Sequence, residues 1–212
     1  MKRGRPVNED RRARRREEIL DVAARTFARL GFPGADLQVV ADELGVGKGT
    51  LYRYFPSKHD LFLATVDWEM RRLLAHLDAI EAQVPDPLDQ IAAGIRSYLA
   101  FFDRHPESIE LLIQERGEFR DRKRPTYFQY HDANVGKWRE FFRDLMRKGC
   151  VRKMRVDDIL DVLGDLLYGT IFINHFAGRK ERLEAQSRRI LNVVFFGILT
   201  DRERKRFHKG KK

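Results

Sequence analysis

The chain has 212 residues, 42% of them hydrophobic and 35% charged, which is typical of a folded globular protein and excludes a largely disordered one. The longest apolar run, Val193–Leu199, is far shorter than the ~20 residues that cross a bilayer. Cys150 is the single cysteine, and Met1–Arg16 lacks the apolar segment of a secretory signal. We therefore expect a cytoplasmic protein without internal disulfides.

The net charge of +10 is concentrated at the two ends of the chain. Met1–Lys58 contains 13 basic and 8 acidic residues, and Asp201–Lys212 contains 7 and 2. The intervening His59–Thr200 contains 22 of each. Basic charge gathered in this way indicates a polyanionic partner, and nucleic acid is the first candidate.

The N-terminal part of the chain predicts a basic arm followed by three helices. Met1–Arg16 has almost no apolar residue, so we expect it to be flexible. Apolar residues from Ile19 onward recur every three or four positions and predict a helix that ends at Gly31. A second helix follows Asp36, which can cap it, and a third follows the glycine turn at Gly45.

The remainder predicts longer helices and no strand. Pro56 ends the third helix, and Ser57 with Asp60 resembles a capping box that starts a helix running to about Ala82. The same periodicity predicts helices over about Leu88–Phe102, Pro106–Arg116, Lys123–Arg147, Asp157–Ala177 and Glu181–Thr200. The predicted fold class is all-α with about nine helices, and we expect residues 201–212 to form a disordered basic tail.

The segment Asp36–Phe55 has the length and turn of a helix-turn-helix, whose second helix enters the DNA major groove. On that second helix Lys48 can approach a phosphate, Thr50 and Tyr52 can bond the DNA backbone, and Arg53 can make paired hydrogen bonds to guanine. The alternative is a surface helical hairpin with incidental basic residues.

Several of these residues carry a resemblance to a known family. Gly31-Phe32, Val40-Ala41 and the run Gly45–Lys58 (GVGKGTLYRYFPSK) resemble the DNA-binding region of the tetracycline-repressor (TetR) family over about Arg15–Leu63. The chain departs from the family pattern at Ala35 and Gly47, where a hydroxyl residue and a serine are typical.

The resemblance implies roles for individual residues. Gly47–Phe55 would be the recognition helix, with Leu51 and Phe55 in the core, and Lys58 would cap the next helix and contact phosphate. The resemblance also implies a DNA-binding domain over residues 17–57 and a helical ligand-binding and dimerisation domain over 58–200. The DNA-binding residues implied are Gln38, Lys48, Gly49, Thr50, Tyr52, Arg53, Tyr54 and Lys58.

The last two long helices predict an oligomer. Both are apolar over more than one face, and a single domain core can cover only one of these faces. The resemblance favours a homodimer through a four-helix bundle, and the alternative is a monomer with a central core helix.

A small, mostly apolar effector is the second partner that the resemblance implies. The helices between Leu88 and Phe176 are rich in aromatic residues, which are core residues by default and could instead line a pocket. Glu115 and Glu118 are expected to be solvated charges. The candidate ligand residues are Tyr98, Phe102, Arg116, Tyr127, His131, Trp138, Tyr168, Phe172 and His175.

Taken together, these features predict a homodimeric, DNA-binding transcriptional regulator. It would act as a repressor at a palindromic operator and be released by the effector. The alternative is an architectural protein that binds DNA without sequence preference through its basic ends. We expect no enzyme activity, catalytic residue, metal site or cofactor, because no histidine pair or nucleophile motif occurs.

Overall fold

The computed structural model describes residues 6–179 and 181–209, and every regular element in these ranges is a helix. A single antiparallel bridge between Val151 and Leu199 is the one pairing of extended backbone within them. The all-helical prediction is confirmed, with ten helices rather than nine in the described ranges. They are α1 (Pro6–Gly34), α2 (Leu37–Glu43), α3 (Lys48–Tyr52), α4 (Lys58–Glu81), α5 (Pro87–Arg104), α6 (Pro106–Glu118), α7 (Thr126–Arg147), α8 (Val156–Phe176), α9 (Leu183–Ile198) and α10 (Asp201–Lys209).

The first helix starts earlier than the sequence predicts. α1 begins at Pro6, so residues 6–16 of the predicted flexible arm are helical in the structure, with residues 9–14 exposed, while residues 1–5 lie outside the described part. Extending an existing helix adds one backbone hydrogen bond for each residue ordered, which favours this continuation. Arg15 also pairs with Glu18 at 2.6 Å, one turn further along.

The predicted end of the first helix at Gly31 is a kink. Gly31 has φ 73° and ψ 156°, outside the helical region, and glycine adopts a positive φ without steric cost. A short helical piece then runs to Gly34, and the backbone N–H of Ala35 donates to the Gly31 carbonyl at 3.0 Å. The chain therefore turns toward α2 at the predicted position.

Two compact units divide the chain. One contains the described residues up to Arg72 together with Pro106–Tyr127, and the other contains Leu73–His105 together with the described residues from Phe128 onward. The first unit is larger than the 17–57 segment predicted as the DNA-binding domain, because it also includes the first part of α4 and all of α6.

Aromatic packing forms the core of the first unit, where α1 packs against α6 and α2. The ring of Phe62 lies 5.1 Å from that of Phe27 and 5.2 Å from that of Phe119. Phe27 and Phe62 are completely buried. Each buried phenylalanine contributes about 1.5–3 kcal/mol through the hydrophobic effect, so this cluster anchors the helices that support α2 and α3.

Two buried carboxylates join helices within this unit. Glu69 on α4 accepts a hydrogen bond from Ser108 on α6 at 2.8 Å. Glu115 on α6 accepts from the backbone N–H of Thr126 at 3.0 Å and from its hydroxyl at 2.7 Å, and it pairs with Arg122. Glu115 is 1% exposed, so the expectation of a solvated charge is wrong there, because the free amide end of α7 holds the carboxylate. Glu118 is exposed, as expected.

In the second unit, α5 packs against α8 and α9. Asp103 on α5 accepts hydrogen bonds from the backbone N–H groups of Leu183 and Glu184, at 2.9 and 2.8 Å, and so caps α9. The buried side-chain amides of Asn174 on α8 and Gln186 on α9 exchange hydrogen bonds of 3.1 and 2.7 Å. These bonds set the register of α8 against α9.

Most of the segment predicted as a disordered tail is helical in the structure. Residues 201–209 form α10, and residues 210–212 lie outside the described part. Asp201 and Glu203 occupy the first turn of α10, where the positive end of the helix dipole favours carboxylates, and the N–H of Glu203 faces the Thr200 hydroxyl at 3.4 Å. Glu203 is 4% exposed, so the start of α10 packs against the unit.

Candidate nucleic-acid interface

Local sequence signals position the helix pair α2–α3. The carboxylate of Asp36 accepts the backbone N–H of Gln38 at 2.8 Å and caps α2, as predicted. Leu37, Val40 and Ala41 bury one face of this helix. The buried face docks α2 onto the core, which leaves the other faces to solvent.

The turn between the two helices is tight. Gly45 has φ 65°, and the backbone N–H of Val46 donates to the Ala41 carbonyl at 2.9 Å. α3 starts after Gly47, which offers no side-chain cap. The predicted helix-turn-helix is confirmed, although regular helix covers only Lys48–Tyr52 of the Gly47–Phe55 segment expected as recognition helix.

Side chains on α3 divide as the resemblance implies. Leu51 is fully buried and Phe55 nearly so, which confirms both as core positions. Tyr52 is 46% exposed. The other implied DNA-binding residues of this segment, Lys48, Gly49, Thr50, Arg53 and Tyr54, are partly or fully exposed, and we refer to them together with Tyr52 as the polar surface.

Internal contacts occupy several of these polar groups. The ammonium of Lys48 lies 2.7 Å from the carboxylate of Asp36. The hydrogen bond from the Gln38 N–H, followed by that from Lys48, lowers the pKa of Asp36, and the hydrogen bond to Asp36 raises the pKa of Lys48. Arg53 donates to the Thr50 hydroxyl at 3.2 Å. The free protein thus holds Lys48 and Arg53 in defined positions.

Lys58 has an additional role in the structure. Its ammonium donates to the backbone carbonyls of Pro33 and Ala35, at 3.0 and 2.8 Å, and lies 4.9 Å from the ring centre of Phe32. These contacts fix the α1–α2 connection to the start of α4. The phosphate contact implied for Lys58 stays a prediction.

Two arginines of α1 extend the basic surface, although the sequence placed them only in a flexible arm. Arg12 lies over the ring of Tyr54 at 5.9 Å, and Arg16 lies over that of Phe55 at 5.1 Å. The sequence showed that both residues are charged but did not show where they lie in the fold. The first part of α1 therefore lies beside the residues that follow α3.

The predicted ligand residues are distributed over both units. Arg116, which is exposed, and Tyr127, which is buried, belong to the first unit. The other seven belong to the second: Tyr98, Phe102, His131, Trp138, Tyr168, Phe172 and His175.

Within the second unit, several of the seven lie close to one another. The ring of Tyr168 lies 4.5 Å from that of Phe172 and 5.4 Å from that of Phe128. Tyr98 and Phe102 are buried, with ring centres 5.2 Å apart. His175 is half-buried on α8. The aromatic residues of α7 and α8 thus form a continuous contact.

Two side chains of α7 lie beside glycines of α5 and α8. A methyl group added at Gly94 on α5 would lie 3.7 Å from the Trp138 ring, and one at Gly164 on α8 would lie 3.6 Å from Nε2 of His131, both ordinary van der Waals distances. Trp138 and His131 therefore lie next to neighbouring helices. Both belong to the predicted ligand set.

An apolar patch is exposed on α8 and α9. Large apolar side chains here are between 53% and 72% exposed, which is unusual for a folded monomer. The patch comprises Val162, Ile173, Phe176 and Val193.

Two further properties concern only the described residues. None of the helices there is long and apolar enough to cross a membrane. No group of three or more histidine, cysteine, aspartate or glutamate side chains is arranged there to hold a metal ion.

Comparison with known families identifies the helix pair. Residues 19–65 match the family described as bacterial regulatory proteins, tetR family. Residues 19–65 are therefore a TetR-family segment. The matched region contains α2, the turn and α3, which are the elements that form the polar surface.

A curated relative agrees with this assignment. The transcriptional regulator RutR of Escherichia coli K12 is 34% identical over 114 residues, which cover 54% of this chain and 51% of RutR. The match thus spans about half the length of this HTH-type relative.

Solved structures share the fold over most of the chain. A regulator from Saccharomonospora viridis in complex with choline has a TM-score of 0.74 at 21% identity, covering 89% of this chain and 99% of that one. FadR from Bacillus subtilis in complex with stearoyl-CoA has a TM-score of 0.71 at 15% identity, covering 84% and 96%.

Proposed function

We propose that this TetR-family protein is a DNA-binding transcriptional regulator that acts as a homodimeric repressor at a palindromic operator. The observation that carries the proposal is the helix pair α2–α3, which buries Leu51 and Phe55 and turns a continuous polar surface to solvent. A helix held in this way can enter the major groove, where Arg53 reads guanine and Lys48 meets a phosphate.

The apolar patch on α8 and α9 supports the homodimer. A second copy would cover Phe176 and Val193, which are 70% and 72% exposed in the single chain. In a dimer with two-fold symmetry, each copy of α3 would bind one half-site, so the operator would be a palindrome.

The second unit supports the small, mostly apolar effector. Its aromatic residues on α7 and α8, with His131 as a polar group, have the character of ligand pockets. The related folds bind choline in one case and stearoyl-CoA in the other. Both ligands are organic molecules with apolar groups, and neither is assigned to this protein.

Helix α4 is the element through which the effector would release DNA. It starts at Lys58, directly after the helix-turn-helix, and its residues from Leu73 belong to the second unit. If the effector binds more tightly to the conformation with α4 in one position than to the conformation with α4 in another, it shifts the equilibrium between these two conformations.

The proposal is tested on an operator selected from genomic fragments with the full-length protein. We expect Arg53→Ala and Tyr52→Ala to weaken operator binding by about 1–3 kcal/mol each, measured by fluorescence anisotropy, because each removes a contact in the groove. Arg71→Ala, which removes an exposed arginine of α4, is the matched control.

Two outcomes would contradict the proposal. One is unchanged operator affinity in both α3 variants while circular dichroism shows the native helix content. The other is the absence of any selected sequence, which would favour the architectural alternative with binding through charge alone.

A further inference from the structure

In the second unit, the connection between α7 and α8 runs antiparallel beside the chain that leads into α10. The N–H of Arg152 donates to the Ile198 carbonyl at 2.9 Å, and that of Thr200 donates to the Cys150 carbonyl at 3.4 Å. α10 begins at the next residue, Asp201. Segments about fifty positions apart in the sequence therefore lie side by side.

Both segments are strongly basic. Residues 147–155 contain five basic and no acidic residues, and residues 201–212 contain seven and two. The rest of residues 59–200 contains 17 basic and 22 acidic residues. We name the combined region the C-terminal basic surface, and the basic residues whose side chains are described in it are Arg147, Lys148, Arg152, Lys153, Arg155, Arg202, Arg204 and Lys205.

Arg147 and Lys148 pair with Asp144, and Arg204 pairs with Asp201, whereas the other five positive charges are exposed and only weakly compensated. The side chains of Arg155 and Arg202 are 80% and 91% exposed, and their nearest carboxylates lie 3.7 and 3.8 Å away. Arg152, Lys153 and Lys205 are exposed, and no ion pair with another described residue is found for them. Ordinary protein surfaces intersperse the two signs, so a surface of one sign indicates a charged partner.

The surface is also anchored to the core. Val151 and Leu199, which form the bridge between the two segments, are 1% and 2% exposed. Glu203 on α10 is buried as well. The basic side chains are therefore carried by a fixed scaffold, which lowers the entropy cost of holding several anionic groups at once.

We propose that the C-terminal basic surface is a second polyanion-binding site, which holds the phosphate backbone of duplex DNA without reading its sequence. Lysines and arginines along a helix and an adjacent extended segment suit a row of phosphates. The described side chains of α10, Asp201–Lys205, are all charged, so they offer no apolar face to a lipid surface. This site shares no residue with the helix-turn-helix and goes beyond the proposed function.

The test compares two triple variants of the full-length protein. Arg152→Ala/Lys153→Ala/Lys205→Ala removes three charges from the C-terminal basic surface. The control, Arg96→Ala/Arg179→Ala/Arg188→Ala, removes three exposed arginines of the same unit that lie outside that surface. Affinity for a random-sequence duplex is measured by fluorescence anisotropy across a salt series.

We expect the slope of log affinity against log salt to fall by about 2.7 in the first variant, since each lost phosphate contact removes about 0.9. The control keeps the wild-type slope. Equal changes in both variants would show that net charge acts without a site, and no change in the first would show that no contact exists. Either result overturns the proposal.

Two additional arms separate this site from the helix-turn-helix and from a membrane partner. Arg53→Ala is expected to lose operator preference and keep the random-duplex binding of the basic surface. If Arg53→Ala loses operator binding and the salt slope of the first triple variant does not change, the proposed function is supported and the proposal of a second polyanion-binding site is overturned. If the C-terminal basic surface binds anionic phospholipid vesicles and the salt slope of DNA affinity does not change, the proposal of a DNA-binding site is overturned in favour of a membrane partner.

Discussion

Asp36 serves two neighbouring groups at the edge of the proposed DNA-binding surface. Its carboxylate caps α2 through the Gln38 N–H at 2.8 Å and holds the ammonium of Lys48 at 2.7 Å. In the free protein this carboxylate therefore occupies the cation that would meet a phosphate. DNA must displace Asp36 from Lys48, so Asp36 weakens the contact that Lys48 makes.

Two substitutions at Asp36 separate these effects. Asp36→Asn preserves an N-cap acceptor and removes the negative charge, so we expect tighter DNA binding and a salt slope steeper by up to about 0.9. Asp36→Ala also loses the cap, so its melting temperature falls below that of Asp36→Asn. Thermal melts and anisotropy titrations measure both quantities. Weaker DNA binding by Asp36→Asn would show that Asp36 does not compete with phosphate.

The pH dependence at this site has a definite sign. Folding lowers the pKa of Asp36, first through the Gln38 N–H and then through Lys48. The stability that the carboxylate adds is therefore present above its unfolded pKa of about 3.9 and is lost as the pH falls through the lower folded value. The difference in melting temperature between wild type and Asp36→Asn should begin to shrink as the pH falls below about 4 and disappear once the pH is below the lowered folded value.

At the scale of elements, the loop between α6 and α7 depends on one buried carboxylate. Glu115→Ala leaves the N–H and hydroxyl of Thr126 without their acceptor and removes the carboxylate that pairs with Arg122. We expect a loss of about 1–3 kcal/mol in the free energy of unfolding, measured by urea titration at fixed protein concentration. Glu118→Ala, at an exposed position of the same helix, should change it by less than about 0.5 kcal/mol. Equal losses in the two variants would contradict the role of Glu115.

The elements that sequence could predict are those whose signals are local. Asp36, Gly45 and the buried positions Leu51 and Phe55 lie within 20 residues, and each acts through its immediate neighbours. The helix-turn-helix and the all-helical fold followed from such patterns.

The features that sequence missed depend on distant partners. Glu115 is buried because the start of α7 returns to it, and α9 is capped by Asp103, which lies 80 residues before Leu183. α10 begins directly after Thr200, whose N–H donates to the carbonyl of Cys150 in the α7–α8 connection. Composition alone does not reveal this contact.

For the whole molecule, the structure assigns the described basic residues to particular elements. Much of the described N-terminal share of the positive charge lies on α1 and α3, where Arg12 and Arg16 contact the rings of Tyr54 and Phe55 after α3. The C-terminal share joins the basic α7–α8 connection in one surface. The N-terminal basic residues lie beside the helix proposed to read the major groove. The C-terminal basic residues have only an arrangement suited to phosphate contact.

The central claim is sequence-specific binding of DNA by a two-fold dimer. Selection of bound fragments from random DNA, followed by footprinting of the enriched sequence with the full-length protein, tests it most directly. We expect a discrete palindromic footprint with half-sites about 10 base pairs apart, or a multiple of that spacing, because two copies of α3 face one side of the duplex. Uniform protection without an enriched sequence, or one isolated half-site, would contradict the claim.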